Sequence, residues 1–385
     1  MDNRILPFIS RYHPSLDQLL SSSKKFTLGR WYNLRCKNKL YFRDGAVKVM
    51  NYRDHQYGWI KCKEIWYKEG KIHRDENDAS TGFTLPAVIK ADGRQIWYKE
   101  GQEHRDDKDP STGLTLPAVI GENGTQLWYK EGKRHRDEKD ASTGFTLPAE
   151  IWADGTQIWY KEGKLHRDEV DPETGLTLPA QIWANRTQIW YKEGKVHRDE
   201  KDPVTGLTLP AVIGENGTQW WYKEGKRHRD DVDPSTGLTL PAVIWQDGTQ
   251  LWYKEGKKHR DDKDPETGLT LPAQIWADGT QYWYKEDKRH RDEKDPSTGL
   301  TLPAEIWRDG SQWWYKEGKR HRDEKDPITG LTLPAEIWRD RGQFWYKEGK
   351  AHRDEKDPKT GLTLPAEIWP NGTQEWYKEG KRLES

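Results

Sequence analysis

The chain has 385 residues, 32% hydrophobic and 33% charged, and its 64 basic and 64 acidic side chains cancel to zero net charge. That balance excludes a broad phosphate-binding stripe, so no nucleic acid is expected as a partner, and it weakens bulk attraction to a membrane surface. So little aliphatic material cannot fill a thick core, but 22 Trp and 17 Tyr can cover a thin sheet, because aromatic rings bury large area per residue.

Residues 1–63 are irregular. Their beginning, MDNRILPFISRYHPS, lacks the apolar stretch and cleavage site of a secretory signal. No run of 18 apolar residues exists anywhere, so no transmembrane helix is expected. Ser15 can cap a short helix over residues 15–20, with Asp17 in its first turn. Residues 26–59 read as irregular strands, and Tyr41-Phe42-Arg43-Asp44-Gly45 is a worn copy of the motif that follows. We read 1–63 as a cap that closes the first sheet edge, or else as an attachment module. Cys36 and Cys62 are the only cysteines, which fits a reducing, cytoplasmic compartment better than an oxidising one.

Residues 64–385 are a repeat array. Trp-Tyr-Lys-Glu-Gly or a close variant recurs with its tryptophan at 66, 97, 128, 159, 190, 221, 252, 283, 314, 345 and 376, always 31 residues apart. An unbroken period means one small unit stacked on its copies, so function follows from length, surface and ends rather than from a single pocket. In the copy from Trp97, Gln95–Lys99 reads as a strand, Glu100-Gly101 as a turn, and Gln102–Arg105 as a second strand. Pro117–Ile120 then leads to Asn123-Gly124, a strong hairpin signal shared by Asp92-Gly93, Asp154-Gly155 and Asp278-Gly279. Asn185-Arg186 and Arg341-Gly342 break this pattern, and Asp287 replaces an anchor glycine.

A two-residue turn at Asp154-Gly155 pairs Ile151 with Ile158, Ala149 with Tyr160, and Glu150 with Trp159. One face then carries the two isoleucines, Ala149 and Tyr160; the other carries Glu150, Trp152, Gln157 and Trp159. The hairpin at Glu162-Gly163 sets Trp159 opposite His166, which brings the imidazoles to the tryptophan face. Isoleucine is constant among the copies whereas Val, Glu and Gln alternate beside it, so the isoleucine site is expected to be the buried one. Asp171-Pro172-Glu173-Thr174-Gly175 has the residues of a tight turn and resembles that of the designed hairpin chignolin. Identical units need an even number of reversals in the sheet. The turn therefore belongs to a projecting arm, leaving two sheet strands per copy. The expected fold is all-β: about ten 31-residue antiparallel hairpin repeats in one twisted or curled sheet. At about 10 Å per copy it would be on the order of 100 Å long.

The units 159–167 (Trp-Tyr-Lys-Glu-Gly-Lys-Leu-His-Arg) and 179–183 (Pro-Ala-Gln-Ile-Trp) resemble MORN-type repeats, over about residues 64–382. The nearest likeness is to the divergent variant found in uncharacterised proteins of large DNA viruses and phages. Tyr160, Gly163 and His166 take the family's Tyr, Gly and His places. The resemblance implies stacked hairpins that mediate protein association, with lipid contact in some members, and a location in the cytoplasm or within a virion. The copies here exceed the usual length of about 23 residues by the arm 168–177, and the glycines that usually follow the histidine are absent. A weaker resemblance is to the choline-binding repeats of cell-wall proteins.

His-Arg-Asp recurs, as at 104–106, but no Asn follows at kinase spacing and no Asp-Phe-Gly exists, so no catalytic residue is expected. Asp202 and its neighbours suit a turn better than a calcium loop, and no metal or cofactor is expected. The candidate interaction surface is the second tryptophan row, Trp152, Trp183, Trp245, Trp276, Trp307, Trp338 and Trp369, with His166, His197 and His228. Those rings are expected to lie beneath the arms, covered by Leu147 or Leu178; left open, they would serve a protein groove or a sugar platform. Equivalent histidines also point to acid-sensitive assembly. The reading is a non-enzymatic scaffold or spacer that associates with structural proteins or itself. The alternative is a carbohydrate- or lipid-binding repeat module.

Overall fold

A computed structural model describes residues 45–47, 52–54, 58–60 and 62–383. The short helix expected at 15–20 lies outside the described residues. Every regular element among the described residues is a β-strand, and every pairing is antiparallel. The chain divides into two compact units, Met1–Ala184 and Asn185–Ser385.

In the first unit, Gly45–Val47 pairs with Ile65–Tyr67, and Tyr52–Asp54 forms a hairpin with Gly58–Ile60. The ladder then runs through Val88–Lys90, Gln95–Ile96, Val119–Ile120, Gln126–Leu127, Glu150–Ile151, Gln157–Ile158 and Gln181–Ile182. In the second unit it runs in the same manner from Gln188–Ile189 to Gln374–Glu375. Each copy gives the ladder two strands, as the reversal argument requires.

The rest of each copy leaves the ladder as two hairpins. Tyr160–Lys161 pairs with Lys164–Leu165 across Glu162-Gly163, and both turn residues have positive φ, 50° and 82°. This is the type I′ geometry that matches strand twist. Glutamate holds the first turn position in all the repeats at φ of 50–52°, a conformation that L side chains adopt at a cost. The arm is the second hairpin. Asp171 and Leu176 bond across its tip, and Val170 pairs with Thr177. In the arm at 202–206, one Asp202 oxygen accepts the amides of Val204 and Thr205 and the Thr205 hydroxyl, which is the turn role expected for that aspartate.

The pairing across Asp154-Gly155 differs from the expected one by a residue. Glu150 lies opposite Ile158, and Ile151 opposite Gln157. The loop has three residues: Trp152 N–H donates to the Thr156 carbonyl, Gly155 N–H to the Trp152 carbonyl, and Gly155 has φ of 93°. Such a loop with its glycine bulge is the other common use of Asp-Gly in hairpins, and a one-residue shift moves half the side chains to the opposite face. The front face therefore carries Glu150, Trp152, Ile158 and Tyr160, and the back face Ala149, Ile151, Gln157 and Trp159. The burial expectation also inverts. Val119, Glu150 and Gln274 are each 5% exposed, whereas Ile120, Ile151 and Ile275 are only half-buried.

Arg186 and Arg341 occupy the glycine place of the three-residue loop at φ of 67° and 75°, so the turn survives both lapses. Asp287 does so in the type I′ turn, and its carboxylate accepts the Lys258 amide at 2.7 Å.

Candidate interaction surface

The back face is a set of bonds between successive copies. Within each unit the anchor tryptophans donate their ring N–H to a threonine carbonyl on the preceding arm, as Trp97 does to Thr84 and Trp252 to Thr239, at 2.7 and 2.8 Å. An arginine stacks on the same ring; Arg105 lies 3.9 Å from the centre of Trp97 and donates to Asp107 and the Pro117 carbonyl. Burial opposes charge on Arg105, and the Asp107 carboxylate counters that cost. The arm threonine then meets a carboxylate of the next copy, as Thr239 meets Asp262 and Thr301 meets Glu324. The arms thus cover the anchor tryptophans, not the second row. Leu147 and Leu178 do not screen Trp152 or Trp183, which are 44% and 46% exposed.

The histidines belong to this back face, a correction to their placement beside the second row. His228 shows their role: its Nε2 lies 2.6 Å from Asp230, while its Nδ1 accepts the Glu255 amide of the following copy at 3.2 Å. An acceptor Nδ1 fixes the neutral imidazole with its proton on Nε2. His197 accepts the Glu224 amide in the same way at 3.1 Å, with Asp199 3.4 Å from Nε2. His166 lies 3.8 Å from Asp168. Lysine–glutamate pairs such as Lys226–Glu255 join the same copies at the surface, where they contribute little.

The front face holds the second tryptophan row. In the second unit Trp245, Trp276 and Trp307 are 46%, 42% and 36% exposed, while Trp338 and Trp369 are half-buried. Three of these rings lean on the residue that follows the next glutamine. Trp276 meets Tyr282 at 6.2 Å, Trp307 meets Trp313 at 5.2 Å, and Trp338 meets Phe344 at 4.9 Å between ring centres. Trp220 packs edge-on to Trp245 at 6.3 Å. Sequence reasoning did not single out Trp220, Tyr282, Trp313 or Phe344. The signal was present: one position changes from aliphatic in the first copies to mostly aromatic in later ones.

Opposite the tryptophan shelf stands a line of charged groups. Arg134 reaches Glu150 at 2.9 Å, Arg289 reaches Glu305 at 3.1 Å, and Arg320 reaches Glu336 at 3.2 Å. Glu305 is 1% exposed, and that burial pushes its carboxyl up despite Arg289 beside it. Between shelf and charges the row is closed by tyrosines; in the first unit Tyr67, Tyr98 and Tyr129 pack on Ile65, Val88, Ile96 and Val119.

This surface offers stacking planes and paired charges at a repeat of about 10 Å. A scan against protein-family models finds no match for the chain, and a search of the curated proteins finds none either. The fold itself identifies the chain as a β-hairpin repeat protein.

Proposed function

We propose that the chain is a non-enzymatic structural scaffold that mediates protein–protein association. The observation that carries this reading is the commitment of the back face to joining copies: tryptophan, histidine, arginine and arm threonine each make a bond to a neighbour or to the arm. The recurrent His-Arg-Asp is engaged in those bonds, although its copies at 73–75 and 104–106 also line an open pocket beside Trp97. Such an array transmits force from copy to copy and grows by duplication without new contacts. Stretching single molecules of the full chain tests it. A scaffold built this way should yield in even steps of about 100 Å, one 31-residue copy at a time. One featureless extension without resistance would refute it.

Placement in a large viral particle is supported by the resemblance to MORN-type repeats alone. Its test is mass spectrometry of purified particles, where absence of the chain would exclude the placement.

A further inference from the structure

Copies of a duplicated unit differ where their surroundings differ, and here the exposed differences lie at the arm tips, as at Glu173, Val204, Ser235 and Ile328, and across the front. The back-face Trp, His, Arg and Ala positions repeat without change from copy to copy as far as Trp376, after which Leu383 and Glu384 take the His and Arg places. Across the front, Arg227, Lys258, Arg289, Arg320 and Ala351 hold one place in successive copies of the second unit. Beside the shelf, Gln246, Ala277, Arg308, Arg339 and Pro370 hold another. A polymer of identical units would find different neighbours at each step. A polypeptide, whose own side chains differ along its length, matches such a surface.

The charges narrow the partner further. Arg289 and Arg320 each meet a glutamate of their own copy. In the copy of Arg227 the glutamate's place is taken by Val243, and the Arg227 guanidinium donates to the phenol oxygens of Tyr222 and Tyr253, at 3.1 and 3.3 Å. Lys258 meets the Gln274 amide oxygen at 3.2 Å and lies 4.8 Å from the centre of the Tyr284 ring. The Asp287 carboxylate is bonded to the Lys258 backbone amide. Asp247 and Asp278, in the turns after Trp245 and Trp276, hold the Thr249 and Thr280 amides. Two cations without a side-chain carboxylate bonded to them thus sit across from the two most exposed rings of this unit's shelf. Arginine and aromatic groups together are what protein interfaces favour.

We propose that the front face from Trp220 to Trp276 docks an extended acidic segment of another polypeptide. Its apolar side chains rest on Trp245 and Trp276, and its carboxylates pair with Arg227 and Lys258. This rests on the scaffold reading and gives it a partner chemistry. The charge pairs set the orientation, and the rings supply the buried area.

The test is calorimetric titration of the full chain with a random copolymer of Glu and Tyr. Polyglutamate, a Lys–Tyr copolymer and cellohexaose serve as further probes. The Glu–Tyr copolymer should bind, more tightly than polyglutamate, and the Lys–Tyr copolymer should not. Arg227→Glu with Lys258→Glu should weaken binding at least about tenfold, and so should Trp245→Ala with Trp276→Ala. Lys201→Glu with Lys263→Glu, which makes the same charge change on exposed arm positions, should bind as the unaltered chain does. Equal weakening by the arm and front-face charge changes would overturn the site, as would no binding at all. Cellohexaose binding lost with the two tryptophans would make this a glycan surface and overturn the polypeptide proposal. Circular dichroism of each variant shows whether it folds; any that does not is replaced by Arg227→Gln with Lys258→Gln. Failure here with even unfolding steps under force sinks the docking site alone, whereas loss of those steps sinks the scaffold.

Discussion

Glu305 shows how much one side chain can owe to its neighbour. Its carboxylate is 1% exposed, and Arg289 at 3.1 Å is the charge that offsets its burial. Arg289→Ala should cost on the order of 3 kcal/mol by leaving a buried acid unpaired. The double change Arg289→Met with Glu305→Leu should recover most of that, because an apolar pair needs no desolvation. Thermal melts of the three proteins check this; equal melts would mean the pair is not buried in solution. Acid titration probes a different group. Asp78 and Asp140 in the arm tips are held down at about 2 by hydrogen bonds from Ser80 and Ser142 hydroxyls and nearby amides. A depressed carboxylate stabilises the folded arm above its ordinary value near 3.8 and loses that contribution as pH falls through about 2. Amide resonances of Thr81 and Thr143 should therefore hold steady to about pH 4 and move only below it. Movement centred above pH 4 would contradict the hydrogen-bonded tip.

At the scale of the hairpin, the type I′ turns carry a removable strain. Glu131 sits at φ of 52° and gives its amide to His104, a bond that any residue there would keep. Glu131→Asn should stabilise the chain by about 0.5 kcal/mol, since asparagine tolerates positive φ better. Arg341→Gly should do the same by about 1 kcal/mol, because its φ of 75° suits glycine. A lower melting temperature for either variant would show that the side chain has a role the turn geometry hides. The inter-copy bond is tested by His135→Ala, which removes the acceptor of the Glu162 amide at 3.1 Å. Hydrogen exchange at Glu162 should quicken about tenfold, in keeping with one lost bond of about 1 kcal/mol. Unchanged exchange would mean the histidine does not join the copies.

The hairpins also show what can be read from residues alone. Period, turn positions and the arm were legible, because glycine and the Asp-Pro pair leave few backbone choices. The two faces were not. Asp-Gly serves equally in a two-residue turn and at the end of a three-residue loop, and the difference of one residue exchanged the neighbours of Trp152 and Glu150. The invariance of isoleucine misled for a related reason. Ile151 is constant beside glutamines on the half-buried back, whereas the variable Glu150 is buried with Arg134 beside it. The tryptophan row was found, but its cover was assigned to the wrong ring, since nothing local tells which indole a projecting arm will bond.

At the scale of the whole chain, the account requires that within each unit every copy be fixed to the next by the back-face bonds. Hydrogen exchange of the purified chain, read at the anchor tryptophan amides and the turn glutamate amides, tests that claim most directly. Slow exchange at both sets of positions in successive copies is the predicted result. Fast exchange of the turn glutamates beside protected tryptophans would contradict it, because the copies would then be held by the ladder alone.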